Sequence, residues 1–195
     1  MREEISQKSD EEIVKMIQSG QIALFDILIE RYEQKIKRYC QRFLSKKEDV
    51  EDILQDIFIK VYRNIQSFNP EKRFSPWIYR IAHNALVNVL KKRKINVLSF
   101  IDLDIFLPHS LKENNRLEDQ FDQKNFKEIV NNYLEKLDPK YREPIYLFYF
   151  ENLSYQEIAD VLEVPVATVG VRIKRGKEKI KKFIENFEKK YVREQ

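Results

Sequence analysis

The sequence contains few of the residues that interrupt helices or cross-link a chain. Its 195 residues include three glycines, six prolines and one cysteine. Sheet proteins need many tight turns, which glycine and proline supply, so their scarcity favours a mostly helical protein. The lone Cys40 excludes an internal disulfide and a cysteine-based zinc site. We expect it to be a small core hydrophobe in a reducing cytoplasm.

Long apolar runs are also missing. No stretch approaches the length of a membrane span, and the amino terminus MREEISQKSDEEIV is charged, so we expect neither membrane insertion nor a signal peptide. Hydrophobic residues still make up 43% of the chain, which is enough for helical cores. The net charge is only +4, so a nucleic-acid function would have to come from uneven charge distribution.

Apolar residues repeat at intervals of three and four from Asp10 to about Lys94, which predicts a bundle of four helices. The buried positions expected in these four helices are, in order, Ile13, Met16 and Ile17; Phe25, Leu28, Tyr32, Ile36, Tyr39 and Phe43; Val50, Ile53, Ile57, Val61 and Ile65; and Trp77, Ile81, Ala85 and Val89. This bundle, residues 10–94, is the first predicted domain.

Helical periodicity is lost in the next segment and then returns. Residues 95–125 have no stable period and are net acidic, which is typical of a flexible linker. Periodicity resumes at Phe126, and Asp138 and Pro139 provide a helix start. We therefore predict an all-α protein of two small helical domains, the second spanning residues 126–187.

The segment SYQEIADVLEVPVATVGVRIKRGKEKIKKF predicts two helices joined by a tight turn. Ser154 and Glu157 form an S-x-x-E capping box, and Glu163-Val164-Pro165 ends the helix. The second helix would bury Val169, Ile173 and Ile180 and turn its basic residues outward. A short helix followed by a basic one is the helix-turn-helix arrangement that enters the DNA major groove.

A lysine-rich helix can also be a solvated surface that binds nothing. The capping box, the tight turn and the basic second helix together favour DNA binding. Residues near the start of a recognition helix enter the groove most deeply, so Thr168, Val171, Arg172 and Arg175 are the better candidates for base edges. The full set of DNA contacts expected on this helix is Thr168, Val171, Arg172, Lys174, Arg175 and Lys177.

Two parts of the chain resemble one family. NLSYQEIADVLEVPVATVGVRIKRGKEKI, preceded by LDPKYREP, is similar to region 4 of extracytoplasmic-function sigma factors. GQIALFDILIERY, EDVEDILQDIFIKVY and FNPEKRFSPWIYRIAHNALVNVLKKRK resemble region 2 of the same family. The matches occur in order and flank the linker. The resemblance therefore implies an alternative sigma factor, which joins core RNA polymerase and gives it promoter specificity.

An acidic stripe lies on the third predicted helix. Asp49, Asp52 and Asp56 fall within an arc of about 60°, away from the predicted core face. A metal or acid–base site would need companion ligands, but His83 and His109 are isolated. The resemblance implies docking on the polymerase clamp, with the polymerase-binding set Asp49, Asp52, Gln55, Asp56 and Phe58.

A basic and amide-rich face lies on the fourth predicted helix, and cations with amides suit DNA whose bases are being unstacked. The resemblance implies melting of the downstream promoter element here, and capture of a flipped base by the loop QSFNPEKRF, residues 66–74. Trp77 is a core residue rather than a stacking platform in our interpretation. The implied DNA-binding set is Phe68, Asn69, Lys72, Arg73, Arg80, Asn84, Asn88, Lys91, Lys92 and Arg93.

Three positions depart from the family pattern. Gly170 stands where a polar or basic residue is usual, Asn88 where Asp is usual, and Gly176 where Ala is common. Each glycine weakens helix propensity by about 1 kcal/mol relative to Ala. These departures affect the expected promoter preference rather than the class.

The implied partners are core RNA polymerase through its clamp and flap, promoter DNA, and an anti-sigma factor that is either soluble or membrane-anchored. The resemblance implies a cytoplasmic protein with no cofactor, no metal and no catalytic residue of its own. Three alternatives remain: a helix-turn-helix regulator that binds operator DNA without polymerase, a helical carboxylate enzyme, and an interaction protein whose basic helices only solvate it.

Overall fold

The computed structural model describes residue 5, residues 7–92 and residues 130–193, with side chains to residue 186. The chain divides into two compact units, Met1–Ile95 and Asn96–Gln195, here called the first and second units. Within the described residues all regular structure is helical, which confirms the all-α prediction. The predicted linker, residues 95–125, and the first residues of the predicted second domain lie outside the described residues.

Between residues 7 and 92 the first unit is a bundle of four helices. Its helices are α1 (Asp10–Gln18), α2 (Phe25–Gln41), α3 (Lys47–Asn64) and α4 (Phe74–Lys92), with 3₁₀ turns at Ile22–Leu24 and Ile65–Ser67. Helix α2 packs on α1, α3 and α4, and α3 also packs on α4. The predicted helices are thus confirmed, and Cys40 is fully buried as expected.

Local sequence signals set both ends of α1. Ser9 and Glu12 form a capping box, in which the Ser9 hydroxyl accepts from the Glu12 N–H at 3.1 Å. At the other end Gly20 adopts a φ of 106°, which lets the N–H groups of Gly20 and Gln21 donate to the carbonyls of Ile17 and Met16. Helix α1 therefore begins and ends where its own residues satisfy the free backbone groups.

The buried face of α4 differs from the expected one. Trp77, Ile81 and Val89 are only half-buried, whereas Ile78 and Ala82 are completely buried. The expected series Trp77, Ile81, Ala85 and Val89 is one residue out of register over most of its length. Apolar residues occupy so many positions of α4 that two registers fit the same helical period.

The second unit contains helical residues 130–133, a 3₁₀ turn at Leu134–Lys136, and helices α5 (Pro139–Glu151), α6 (Tyr155–Leu162) and α7 (Val166–Arg193). Asp138 is the N-cap residue of α5, although its side chain makes no capping hydrogen bond. Pro144 lies inside α5, and the helix continues through it. Helix α7 packs on both α5 and α6.

Candidate nucleic-acid interface

The turn between α6 and α7 is built by residues at its two edges. The Ser154 N–H donates to Glu157 Oε2 at 2.8 Å, and the Glu157 N–H donates to Ser154 Oγ at 3.3 Å. Glu163 ends α6 in the left-handed region at a φ of 54°, and Val164 N–H closes the turn on the Ala159 carbonyl. The predicted capping box and helix-turn-helix are both present.

The first five turns of α7 show a clear buried face. Val169, Ile173 and Ile180 are each at most 1% exposed, as predicted. Arg172 is 4% exposed, so the expectation that it faces outward is wrong. It stands three residues after Val169 and four before Gly176, which is also buried, and this spacing places it on the inner face. Its long aliphatic stem allows a cation to occupy such a position.

The remaining predicted residues of α7 lie on its accessible side. Lys174 is exposed, and those that are half-exposed are Thr168, Val171, Arg175 and Lys177. Val166, which sequence reasoning missed, is 37% exposed at the start of the helix. Its signal was its position directly after Pro165, ahead of the first buried residue. Gly170, which stands where a polar or basic residue was expected, is buried.

Gly176 lies where α7 comes very close to α5. A Cβ at this position would stand 2.3 Å from Ile145 Cδ1 and 3.3 Å from Tyr141 Cβ. Both distances are too short for a methyl group unless α5 or the Ile145 side chain moves. Because Ile145 is completely buried, its side chain has little room to do so. The absence of a side chain therefore permits the close approach of the two helices.

A folded turn shapes the loop between α3 and α4. Lys72 N–H donates to the Asn69 carbonyl at 3.0 Å, and Glu71 N–H donates to Asn69 Oδ1 at 3.0 Å. The side chains of Asn69, Lys72 and Arg73 are exposed, as a nucleic-acid contact requires. Because Asn69 Oδ1 accepts from the backbone, the amide NH₂ is the end left to face a ligand.

Phe68 was expected to contact DNA, but it is only 6% exposed. Its ring lies 5.0 Å from that of Trp77 and 5.5 Å from that of Phe74, between centroids. Trp77 is half-buried against this aromatic cluster, so it packs at the edge of the core rather than inside it. Phe68 therefore supports the loop from beneath and does not offer its ring to a base.

The polar face of α4 is accessible. Its exposed members are Arg80, Asn84, Asn88, Lys91 and Lys92. Arg93, the last residue of the predicted set, lies outside the described residues. Two amides thus lie between cations along one exposed helix face.

Helix α3 presents the predicted acidic stripe. Asp52, Gln55 and Asp56 are exposed, whereas Asp49 and Phe58 are half-buried. Sequence reasoning missed two exposed apolar residues on the same helix, Ile59 at 46% and Tyr62 at 48%. Ile59 follows Asp52 by seven residues, two helical turns, so it shares the acidic face rather than the core face, and this spacing was the available signal.

Ion pairs and burial shift the pKa of several groups in the first unit. The Lys15–Glu71 hydrogen bond lowers the pKa of the Glu71 carboxyl and raises that of the Lys15 ammonium. Burial raises the pKa of the Tyr32 hydroxyl, and its hydrogen bond to Asp10 acts in the same direction. Asp10 also accepts from Arg31, so this carboxylate joins α1 to α2.

Neither a metal-binding group nor a membrane-spanning helix is present in the part of the chain that the structure describes. In that part, no three His, Cys, Asp or Glu side chains form a group able to hold a metal ion. None of the described helices is both long enough and apolar enough to cross a membrane.

Family comparisons match both units. The family model described as Sigma-70 region 2 matches residues 28–95, and the one described as Sigma-70, region 4 matches residues 127–180. Helix α6 and the first half of α7 lie within the second match, and the acidic stripe, the loop and the polar face of α4 lie within the first.

Curated relatives extend over nearly the whole chain. The ECF RNA polymerase sigma factor SigW of Bacillus subtilis (strain 168) is 32% identical over 176 residues, 87% of this chain and 93% of the relative. The ECF RNA polymerase sigma-E factor of Escherichia coli (strain K12) is 33% identical over 179 residues, 89% and 93% of the two chains. The chain belongs to the ECF RNA polymerase sigma factors. It is an alternative sigma factor that directs transcription initiation.

Two solved structures have the same fold. CnrH, solved in complex with the cytosolic domain of CnrY, aligns with a TM-score of 0.64 at 24% identity, covering 92% of this chain and 99% of that one. RpoE of Bartonella quintana, solved with the anti-sigma factor NepR, aligns with a TM-score of 0.58 at 20% identity, covering 83% and 96%.

Proposed function

We propose that the acidic face of α3 docks on the clamp of core RNA polymerase, that α4 and its preceding loop open the downstream promoter element, and that α7 reads the upstream element as duplex DNA. The observation that carries this proposal is the separation of surfaces: exposed carboxylates on α3, and exposed cations on α4 and α7. Opposite charges on separate helices suit a protein that holds an enzyme and DNA together.

The reading face of α7 is narrower than the sequence predicts. Thr168, Val171 and Arg175 follow at steps of three and four, so they share one side of the helix. A threonine or valine methyl suits the methyl group of thymine, and an arginine fork suits guanine. Lys174 and Lys177 neutralise neighbouring phosphates, which adds affinity without sequence information. We propose that the second unit also contacts the flap of core RNA polymerase.

The downstream element is opened by cations and amides acting together. Arg80, Lys91 and Lys92 hold phosphates of the strands as they separate, while Asn84 and Asn88 offer amides to exposed base edges. The Asn69 NH₂ and the nearby cations Lys72 and Arg73 bind a base that leaves the stack. Taking a base out of the duplex gives access to edges that pairing would hide.

The docking surface on α3 combines charge with apolar area. Asp52 and Asp56 provide electrostatic complementarity to a basic partner, and Ile59 and Tyr62 add area that loses water on contact. The protein performs no chemistry itself and acts in the cytoplasm, where the polymerase supplies catalysis. An anti-sigma factor, soluble or membrane-anchored, is the inhibitory partner we expect, by analogy with the complexes of CnrH and RpoE.

The decisive test is open-complex formation with bacterial core RNA polymerase and a pool of genomic fragments, followed by sequencing of the melted and transcribed ones. We expect initiation at fragments that share a bipartite motif, and only when the chain is added. Asp56→Lys should abolish it by weakening polymerase binding, whereas Glu33→Lys, the same charge change at an exposed residue of α2, should not. Fragment binding by the chain alone, without initiation, would instead support an operator-binding regulator.

A further inference from the structure

The side chain of Gln18, at the end of α1, contacts the beginning of the loop. Its Nε2 donates to the main-chain carbonyls of Ile65 and Phe68, both at 2.8 Å. These carbonyls bracket the 3₁₀ turn that leads out of α3. The Ile65 carbonyl also accepts from the Phe68 N–H at 3.2 Å, so the Gln18 amide adds a second donor there and joins both ends of the turn to α1. It thereby fixes the position at which the loop leaves the bundle.

Two further side chains of α1 contact the middle and the end of the same segment. Lys15 Nζ lies 2.8 Å from Glu71 Oε1, at the exposed tip of the loop. Glu11 Oε1 accepts from the Phe74 N–H at 2.8 Å, and so caps the first turn of α4. The whole connection from α3 to α4 is therefore tied to one helix.

These three residues occupy a single face of α1. Glu11, Lys15 and Gln18 follow at steps of four and three, which places them in one row along the helix. Asp10 holds the same helix in place by accepting from Arg31 on α2. Helix α1 is thus fixed to the bundle on one side and presents a row of loop-binding groups on another.

We propose that α1 is a positioning element for promoter recognition, and that Gln18 sets the base preference of the loop by fixing its conformation. The inference rests on the proposed role of the loop in binding a flipped base. The Sigma-70 region 2 match begins at residue 28, so α1 lies outside it. Phe68 links Gln18 to the base-reading part of the loop. Gln18 donates to the Phe68 carbonyl, and the Phe68 ring packs on Phe74 and Trp77. Asn69 is the next residue, so its position depends on that of Phe68.

The test compares Gln18→Met with Gln21→Met in full-length protein assembled with core RNA polymerase. Methionine has a similar length and cannot donate a hydrogen bond, and Gln21 is exposed and lies just beyond α1. The probe is a DNA library made by randomising the downstream element of a promoter recovered from the genomic fragments. Melted molecules are sequenced, and polymerase affinity is measured separately. Lys15→Met removes the exposed contact and serves as a second variant that leaves the core intact.

We expect a wild-type preference at the flipped position on the order of tenfold, as a recognised base normally gives. In Gln18→Met this preference should fall to about twofold or less, with a smaller fall in Lys15→Met. Polymerase affinity and the upstream preference should be unchanged, and Gln21→Met should match wild type. A purely structural role for Gln18 would instead lower open-complex yield equally for all bases, and that result would overturn the proposal.

Asn69→Ala, tested in the same library, separates this inference from the proposed function. If Asn69→Ala flattens the preference and Gln18→Met does not, the loop reads the base but α1 does not position it. If neither variant changes the preference, the loop has no reading role, and the positioning proposal fails with it.

Discussion

Replacing Arg142 with methionine is expected to destabilise the second unit. Its guanidinium donates to three main-chain carbonyls: Nε to Leu134 at 3.1 Å, and one terminal nitrogen to Glu135 at 2.7 Å and Leu137 at 2.8 Å. These carbonyls lie in the 3₁₀ turn before α5 and at the residue after it, and that of Leu134 also accepts from the Leu137 N–H at 3.2 Å. The Arg142→Met variant keeps most of the aliphatic stem but removes the guanidinium donor from all three acceptors.

The expected loss in free energy of unfolding is about 2–3 kcal/mol, from roughly 0.5–1.5 kcal/mol for each hydrogen bond, with the exposed one to Glu135 counted lowest. For a unit of this size, that corresponds to a fall in Tm of roughly 10–20 °C. Far-UV circular dichroism would follow the helices of both units. Fluorescence of Trp77, the single tryptophan, would follow the first unit alone.

We expect Arg142→Met to lower the midpoint of the circular dichroism transition and to leave the Trp77 fluorescence transition unchanged. Lys174→Met is the matched control, because Lys174 is an exposed cation of α7 and its removal should cost less than about 0.5 kcal/mol. It should weaken DNA binding without lowering stability. If Arg142→Met were as stable as Lys174→Met, the three hydrogen bonds would make no net contribution to stability, and the stabilising role assigned to Arg142 would be refuted.

A helix cap, a close helix contact and two carboxylates with lowered pKa values lead to three further predictions. Ser154→Ala should lower stability by about 1 kcal/mol through loss of the cap, measured by thermal unfolding, and Ser154→Asp should retain most of it. Gly176→Ala should destabilise despite better helix propensity, and Ile145→Val, which removes Cδ1, should partly rescue it; a more stable Gly176→Ala would contradict the packing argument. The lowered pKa values of Glu12 and Glu71 mean that the unfolded state binds protons first, so first-unit stability, followed by Trp77 fluorescence, should begin to fall below about pH 4.5. Glu71→Gln should reduce that fall, and added salt should weaken it.

Sequence reasoning located the helices because several local signals agree. In the second unit the capping box at Ser154, the break at Pro165 and the spacing of Val169 and Ile173 all specify the same two helices. The number and order of the helices, and the division into two units, follow from such signals. The exposed acidic stripe was found for the same reason, because it lies opposite a strongly periodic core face.

Local signals do not agree in this way at the residues whose burial or contacts the sequence failed to predict. Arg172 has a polar head but the periodicity of a core residue, and the prediction followed its charge. Phe68 lies in a loop, where no period indicates which way a side chain points. The contacts of Gln18 join residues 47 and 50 positions apart in sequence, and only tertiary structure brings them together. Long-range polar contacts of this kind have no local pattern.

The burial of Arg172 and the hydrogen bonds of Arg142 reduce the number of cations in the second unit that are available to neutralise DNA phosphates. Arg172 is buried on the inner face of α7, and Arg142 donates hydrogen bonds to the turn before α5. Each phosphate that a cation neutralises contributes about 0.9 to the salt dependence of binding. The slope of log binding constant against log salt concentration should therefore reflect the number of exposed cations, such as Lys174, rather than the total number of lysines and arginines. We therefore expect α7 to make fewer phosphate contacts than its number of lysines and arginines implies, and the second unit to depend on polymerase to hold it on the promoter.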